Sequence, residues 1–146
     1  MYKLIAADMD ETLLGRDGRP SPRTKRALKR CMEAGAYFSL SSGRMPEAMR
    51  EIAEEIGVNA PLIMFNGGMI HDLSTGETLF KQGLPAKTAN EILKMAEDMH
   101  LYIQAYPGVG YFCNEHTPLT YMYEKRIRVK AQDVHMPLSN GTRRTR

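Results

Sequence analysis

The sequence predicts an α/β fold centred on a parallel sheet, followed by a smaller α+β segment. Two observations predict it. Across residues 3–65, short apolar runs alternate with amphipathic stretches of helical period, the order expected of parallel strands joined by right-handed helical crossovers. Each of the three apolar runs also ends in small or polar residues: Asp8, then Ser41-Ser42-Gly43-Arg44, then Asn66-Gly67-Gly68. The carboxyl ends of strands line the ligand crevice of an open α/β sheet, so three strands deliver candidate site residues to one edge.

The elements run in chain order. Residues 3–7 form a short apolar run that suits a buried strand. Ser21 can cap a helix whose first position is Pro22, with Ala27, Leu28, Cys31 and Met32 on one face and Gly35 as its stop. Tyr37-Phe38-Ser39-Leu40 is the second strand. Pro46 starts a second helix with Met49, Ile52, Ala53 and Ile56 as its stripe and Gly57 as its end. Leu62-Ile63-Met64-Phe65 is the third strand. Residues 69–81 read as a hairpin with a Leu73-Ser74-Thr75-Gly76 turn. After a Gly-Leu-Pro link at 83–85, Ala89, Ile92, Leu93, Ala96 and Met99 mark a helix, and 101–105 and 110–113 mark two strands. Pro118 opens a last helix containing Leu119, Met122 and Tyr123. Periodicity fades from Val129, and residues 131–146 are expected to be a disordered basic tail.

Composition narrows the function classes. With 42% apolar and 25% charged residues in 146, the chain is globular in type. No apolar run approaches the ~20 residues a membrane helix requires, and the N-terminus reaches an acidic pair before a signal-peptide core is complete. A cytoplasmic location and no membrane partner are expected. The net charge of +3 is uneven: residues 126–146 hold six basic groups against Asp133, while residues 1–125 are slightly acidic. A nucleic-acid protein spreads its basic groups over a folded face, so no nucleic-acid partner is expected. Cys31 and Cys113 are isolated and read as reduced thiols. The four histidines show no metal-ligand spacing.

The chemistry-bearing stretch is Ile5-Ala6-Ala7-Asp8-Met9-Asp10-Glu11-Thr12-Leu13-Leu14. Two carboxylates at i and i+2 past a strand end can meet a cation and a phosphoryl group from adjacent positions. Mg²⁺ takes hard oxygen ligands, commonly one or two carboxylates plus substrate phosphate. One carboxylate can attack phosphorus while the other moves the proton. The alternative is an acidic turn in which Asp10 or Thr12 caps local backbone. Ser42 offers a hydroxyl, Gly43 a close backbone approach, and the helix from Pro46 an N-terminal dipole, together a phosphate contact. Ser42 alone also fits a simple N-cap, Arg44 a surface cation, and Gly67 and Gly68 a tight turn.

Taken in order and each behind an apolar strand, DMDETLL, SSGR and FNGG resemble the haloacid dehalogenase superfamily, in particular Cof-type hydrolases with a large C2-type cap. The resemblance implies an incomplete Rossmann-like core at residues 1–81 and part of an α+β cap at 82–130. It implies that Asp8 is the nucleophile that forms an aspartyl-phosphate and Asp10 the acid/base. It implies Mg²⁺ held by the Asp8 carboxylate and the Asp10 main-chain carbonyl, with Met9, Ser42 and Gly43 as phosphate contacts. Arg44 and Asn66 match positions near the substrate entrance. The implied substrates are small phosphorylated metabolites, such as sugar phosphates or cofactor precursors.

The sequence departs from the family pattern in two places. Position 11 is usually Gly in such relatives and is Glu11 here, a poorer fit wherever positive φ is required. The later lysine and GDxxND-like acidic segment of the family are not in this sequence, so a truncated or frameshifted gene is expected, weakly active or inactive as this chain. Losing such groups costs on the order of 10 kcal/mol of a ~20 kcal/mol catalytic task. Strand 3–7 is then expected at a bare sheet edge, inviting self-association. The competing reading is a non-catalytic module acting by association. A receiver-type phosphoacceptor ranks below both, because it places its acceptor Asp after a later strand, and the third strand here ends in Asn66.

Overall fold

The computed structural model describes residues 2–108 and 110–132. The chain divides into two compact units, Met1–Gln82 and Gly83–Arg146. In the first, β1 (Leu4–Asp8), α1 (Pro22–Glu33), β2 (Tyr37–Ser41), α2 (Pro46–Ile56), β3 (Leu62–Met64), β4 (Met69–His71) and β5 (Thr78–Lys81) occur in sequence. They build one five-stranded sheet in the order β1-β2-β3-β4-β5. β1, β2 and β3 are parallel, whereas β4 and β5 return antiparallel as the expected hairpin.

The register shows how the core forms. Ile5 stands beside Phe38 and Ala7 beside Leu40, so these four share one face of the sheet. That face packs with Leu62, Met64 and Met69 against Met49, Ile52, Ala53 and Ile56 of α2 and against Leu28 and Met32 of α1. Ser21 caps α1 by accepting the Thr24 amide at 3.0 Å, and Gly57 ends α2 in the left-handed conformation. Ala27, at the edge of the α1 stripe, is exposed.

Among the described residues β1 is an edge strand, paired with β2 alone. The opposite sheet face shows Leu4 at 60% and Tyr37 at 59% exposure. The expected bare edge and exposed apolar side chains are therefore present.

β3 is one residue shorter than its apolar run. Phe65 leaves the strand because its amide donates to the Arg44 carbonyl (3.2 Å) and the next amide, Asn66, donates to the Ser42 carbonyl (3.1 Å). Where β3 does not reach β2, Asn59 replaces a strand neighbour: its Oδ1 accepts the Phe38 amide at 2.7 Å and its Nδ2 donates to the Ala36 carbonyl at 3.2 Å.

The second unit holds α3 (Ala86–Asp98), β6 (Gln104–Ala105), β7 (Phe112–Cys113) and α4 (Pro118–Ile127). Both strands are shorter than their apolar runs; ahead of β6, Asn114 takes the place of a strand neighbour by accepting the Ile103 amide (3.1 Å) and donating to the Leu101 carbonyl (2.9 Å). In α3 the buried residues are Leu93 and Ala96, while Met99 is 59% exposed. α4 buries Thr120 rather than Leu119 or Met122: Thr117 and Thr120 form a reciprocal cap, and the Thr120 hydroxyl also donates to the Glu115 carbonyl at 3.1 Å.

Tyr106 stacks on Tyr111, which meets Tyr123 edge-on. The Tyr106 hydroxyl donates to Gln104 Oε1 (2.6 Å) and lies 3.0 Å from the Tyr123 hydroxyl, whose proton it can accept. Burial and the Tyr123 contact push the Tyr106 hydroxyl far above the ordinary tyrosine range. Beside this cluster a cleft of about 440 Å³ is lined by Tyr102, Ile103, Gln104, Leu119 and Tyr123.

Two residues of the expected tail, Ala131 and Gln132, are described and bonded to the second unit. The Ala131 amide donates to Glu124 (2.8 Å) and the Gln132 amide to the Tyr111 carbonyl (2.8 Å). Residues 133–146 lie outside the described residues. No helix among the described residues is long and apolar enough to cross a membrane.

Candidate active site

The site is assembled from three parallel strand ends. Asp8 is the last residue of β1 and stands in register with Ser41, which places Ser42 one step beyond it. The Ser42 amide donates to the Ile63 carbonyl at 2.9 Å and ties the β2 end to β3. Beyond Asp8 the chain makes one wide turn, Met9–Leu13, closed by the Leu14 amide donating to the Met9 carbonyl at 2.9 Å. Met9 is fully buried in the core, an apolar anchor between two carboxylates that remain in contact with solvent. With its side chain so committed, Met9 can reach a phosphate through its main chain only.

The carboxylates differ in their surroundings. Asp8 is exposed, and its Oδ2 accepts the Thr12 hydroxyl at 3.1 Å. Asp10 is gripped by Arg44 in a two-pronged ion pair: Nε donates to Oδ2 at 2.8 Å and Nη2 to Oδ1 at 2.7 Å. Arg44 is only 9% exposed, and its third nitrogen, Nη1, donates to the Ala48 carbonyl of α2 at 3.3 Å. Ser42 is also buried. Its Oγ accepts the Arg44 amide at 3.2 Å, which leaves the hydroxyl proton to donate elsewhere.

Gly43 and Asn66 meet closely. A Cβ on Gly43 would lie 3.0 Å from Asn66 Oδ1 and 3.2 Å from its Nδ2, so a larger residue would press the Asn66 side chain out of its place. Asn66 adopts φ 54°, a left-handed conformation that asparagine tolerates. Phe65 (φ 50°) and Glu11 (φ 61°) are left-handed too, so three strained non-glycine residues lie at the ends of β1 and β3. Such strain concentrates at functional sites, where the surrounding structure holds it.

The structure thus brings Asp8, Met9, Asp10, Ser42, Gly43, Arg44 and Asn66 to one end of the sheet. It adds residues that the motifs did not assign. Thr12, which the sequence offered only as a backbone cap, donates its hydroxyl to Asp8. Arg19 ties the segment after the turn to α2 through Glu55 (2.6 Å) and Glu51, and Lys25 joins the same Glu55 at 3.0 Å. The hydrogen bonds from Lys25 and then Arg19 hold the Glu55 carboxyl below its ordinary range. No periodicity could have paired residues so far apart in the chain.

For a divalent cation the donor set is lean. Among the described residues no group of three or more His, Cys, Asp or Glu side chains could hold a metal ion. One exposed carboxylate beside a main-chain carbonyl still fits Mg²⁺, which keeps several waters and shares substrate phosphate rather than needing an all-protein cage.

The family model for haloacid dehalogenase-like hydrolases matches residues 5–142. An HMP-PP phosphatase of Klebsiella pneumoniae is 35% identical over 118 residues, covering 81% of this chain and 43% of that protein. One of Yersinia pestis is 32% identical over 118 residues, with the same coverage of both chains. The chain therefore spans less than half the length of these relatives. Among solved structures, a haloacid dehalogenase-like hydrolase from Bacteroides thetaiotaomicron superposes with a TM-score of 0.83 at 24% identity, covering 96% of this chain and 54% of that one. Another from B. subtilis gives 0.75 at 28% identity, covering 86% and 44%. Fold, strand-end motifs and sequence agree: the chain belongs to the haloacid dehalogenase-like hydrolase family.

Proposed function

We propose that this chain carries the phosphoryl-accepting half of a Mg²⁺-dependent phosphatase acting on small phosphorylated metabolites. The observation that carries the reading is the meeting of Asp8, Asp10 and Ser42 at two adjacent strand ends, those of β1 and β2. The Asp8 carboxylate attacks phosphorus to form an aspartyl-phosphate, while Asp10 gives a proton to the departing oxygen. In the second step Asp10 takes a proton from the water that attacks phosphorus, and Asp8 is released as a carboxylate. Ser42, with its hydroxyl proton uncommitted, donates to a phosphoryl oxygen, and the Met9 and Gly43 main chain lies beside it. Asn66 borders the substrate side. When bound through Asp8 and the Asp10 carbonyl, Mg²⁺ neutralises phosphoryl charge. The HMP-PP phosphatases among the relatives support a small phosphorylated substrate.

Beryllofluoride, an analogue of the phosphoryl group on aspartate, tests the site without requiring turnover. With Mg²⁺ it is expected to raise the melting temperature of the native chain and to leave Asp8→Asn unchanged. Phosphate release from p-nitrophenyl phosphate is expected to require Mg²⁺ and to vanish in Asp8→Asn. Equal stabilisation of both proteins by beryllofluoride would sink the assignment of Asp8.

The edge position of β1 supports a second property, self-association through that strand. Sedimentation should show a concentration-dependent dimer that is lost when Ala6, on the exposed strand face, is replaced by lysine.

A further inference from the structure

Arg44 bears a guanidinium in a motif that brings residues to the site, yet its geometry turns it away from a ligand. All three nitrogens are engaged inside the protein: Nε and Nη2 on the two Asp10 oxygens at 2.8 and 2.7 Å, and Nη1 on the Ala48 carbonyl at 3.3 Å. The side chain is about 10% exposed, against 29% for Asp10. Its backbone is fixed as well, because the amide donates to Ser42 Oγ and the carbonyl accepts from Phe65. The guanidinium therefore stands between the first turn of α2 and the Asp10 carboxylate, with Asp10 on the solvent side.

The two bonds of the fork hold the carboxylate at both oxygens, which fixes its rotation as a single contact would not. A carboxylate has about four lone-pair sites, more than a bidentate arginine occupies. One oxygen lone pair can still carry a proton to or from a reacting atom while the fork holds the group in place.

We propose that Arg44 is a positioning residue: it aims the Asp10 carboxyl at the leaving oxygen and does not itself touch substrate. The inference rests on the assignment of Asp10 as the acid/base. Its signature is dependence on the leaving group. A departing alkoxide needs a proton as the P–O bond breaks, whereas p-nitrophenolate leaves without one. A misaimed acid slows the first reaction and spares the second, while a merely loosened fold slows both alike. Misplacement by about 1 Å is enough for a 100-fold loss.

The experiment compares kcat/KM, which counts steps only through departure of the leaving group, for glycerol 2-phosphate and p-nitrophenyl phosphate. Arg44→Leu is expected to lose roughly 100-fold on glycerol 2-phosphate and less than about 5-fold on p-nitrophenyl phosphate. Arg44→Lys, which keeps the charge and loses the fork, should fall between. Combining Arg44→Leu with Asp10→Asn should cost no more on glycerol 2-phosphate than Asp10→Asn alone. Equal losses on the two substrates, or additive losses in the double variant, overturn the positioning role. Native chain that turns over neither substrate overturns the catalytic reading on which the role depends. If Arg44→Leu does not fold, Arg44→Lys and Arg44→Gln decide by the same ratio.

Discussion

Replacing Glu11 by glycine should stabilise the first unit, although it removes a side chain. Glu11 sits at φ 61°, ψ 6° inside the turn that carries Asp10. A non-glycine residue held in the left-handed region costs about 1–3 kcal/mol. Glycine relieves that strain and gives back roughly 0.5–1 kcal/mol through its greater freedom in the unfolded chain. The net expectation is a gain of about 1 kcal/mol, which for a unit of this size raises the melting temperature by about 4–8 °C. Urea and thermal unfolding followed by circular dichroism measure it. Two controls separate backbone from side chain. Glu11→Ala loses the same side chain but keeps the Cβ, so it should be less stable than Glu11→Gly by about 1 kcal/mol, and Glu11→Asn, whose side chain tolerates this conformation, should recover about half of that difference. Equal stabilisation by glycine and alanine would refute the reasoning, since it would trace the effect to the carboxylate and not to the main chain.

Asn59→Ala should cost about 1–2 kcal/mol, because it strands the Phe38 amide and the Ala36 carbonyl, and denaturant midpoints report the loss. Asn59→Asp, which keeps the acceptor, should recover part of it. The Asp72 carboxyl lies below its ordinary value of 3.8, held there first by the Ser74 hydroxyl and then by the Ser74 amide. A carboxyl lowered in the folded state stabilises above its ordinary value and loses that contribution as the pH falls below 3.8 toward the folded-state value. Asp72→Asn should therefore flatten the acid limb of the stability profile and leave the neutral limb unchanged in slope.

The order of strands and helices was legible because apolar strands and amphipathic helices announce themselves by period, although β1, expected to be buried, holds no buried residue because it lies at the sheet edge. Phe38, Leu40, Met49 and Ile52 lie in the core where their spacing placed them. Strand ends were less legible: Phe65 is apolar enough for β3, but two amides that bond across to the β2 end pull it into a turn. The same holds for Leu119 and Met122, apolar residues left outside because a threonine pair sets the start of α4. At the site, the three motifs named the residues that converge, and the glycine usually found at position 11 was a sound guide to backbone shape, since Glu11 is left-handed here. The Arg44–Asp10 pair was not readable, because charge and spacing alone do not distinguish an arginine that meets a ligand from one that holds a neighbour.

The strand that presents Asp8 has a single partner among the described residues, and this governs how firmly the residue is held. Every second amide of an edge strand points away from its neighbour and donates to water, so β1 should exchange its hydrogens in an alternating pattern, fast and slow by turns. β2, bonded on both sides over part of its length, should be protected more evenly. The Asp8 carboxylate thus rides on the strand of the three parallel ones with a single hydrogen-bonded neighbour among the described residues. A molecule that zipped onto that free edge would slow its exchange and steady the height at which the Asp8 carboxylate stands at the strand end.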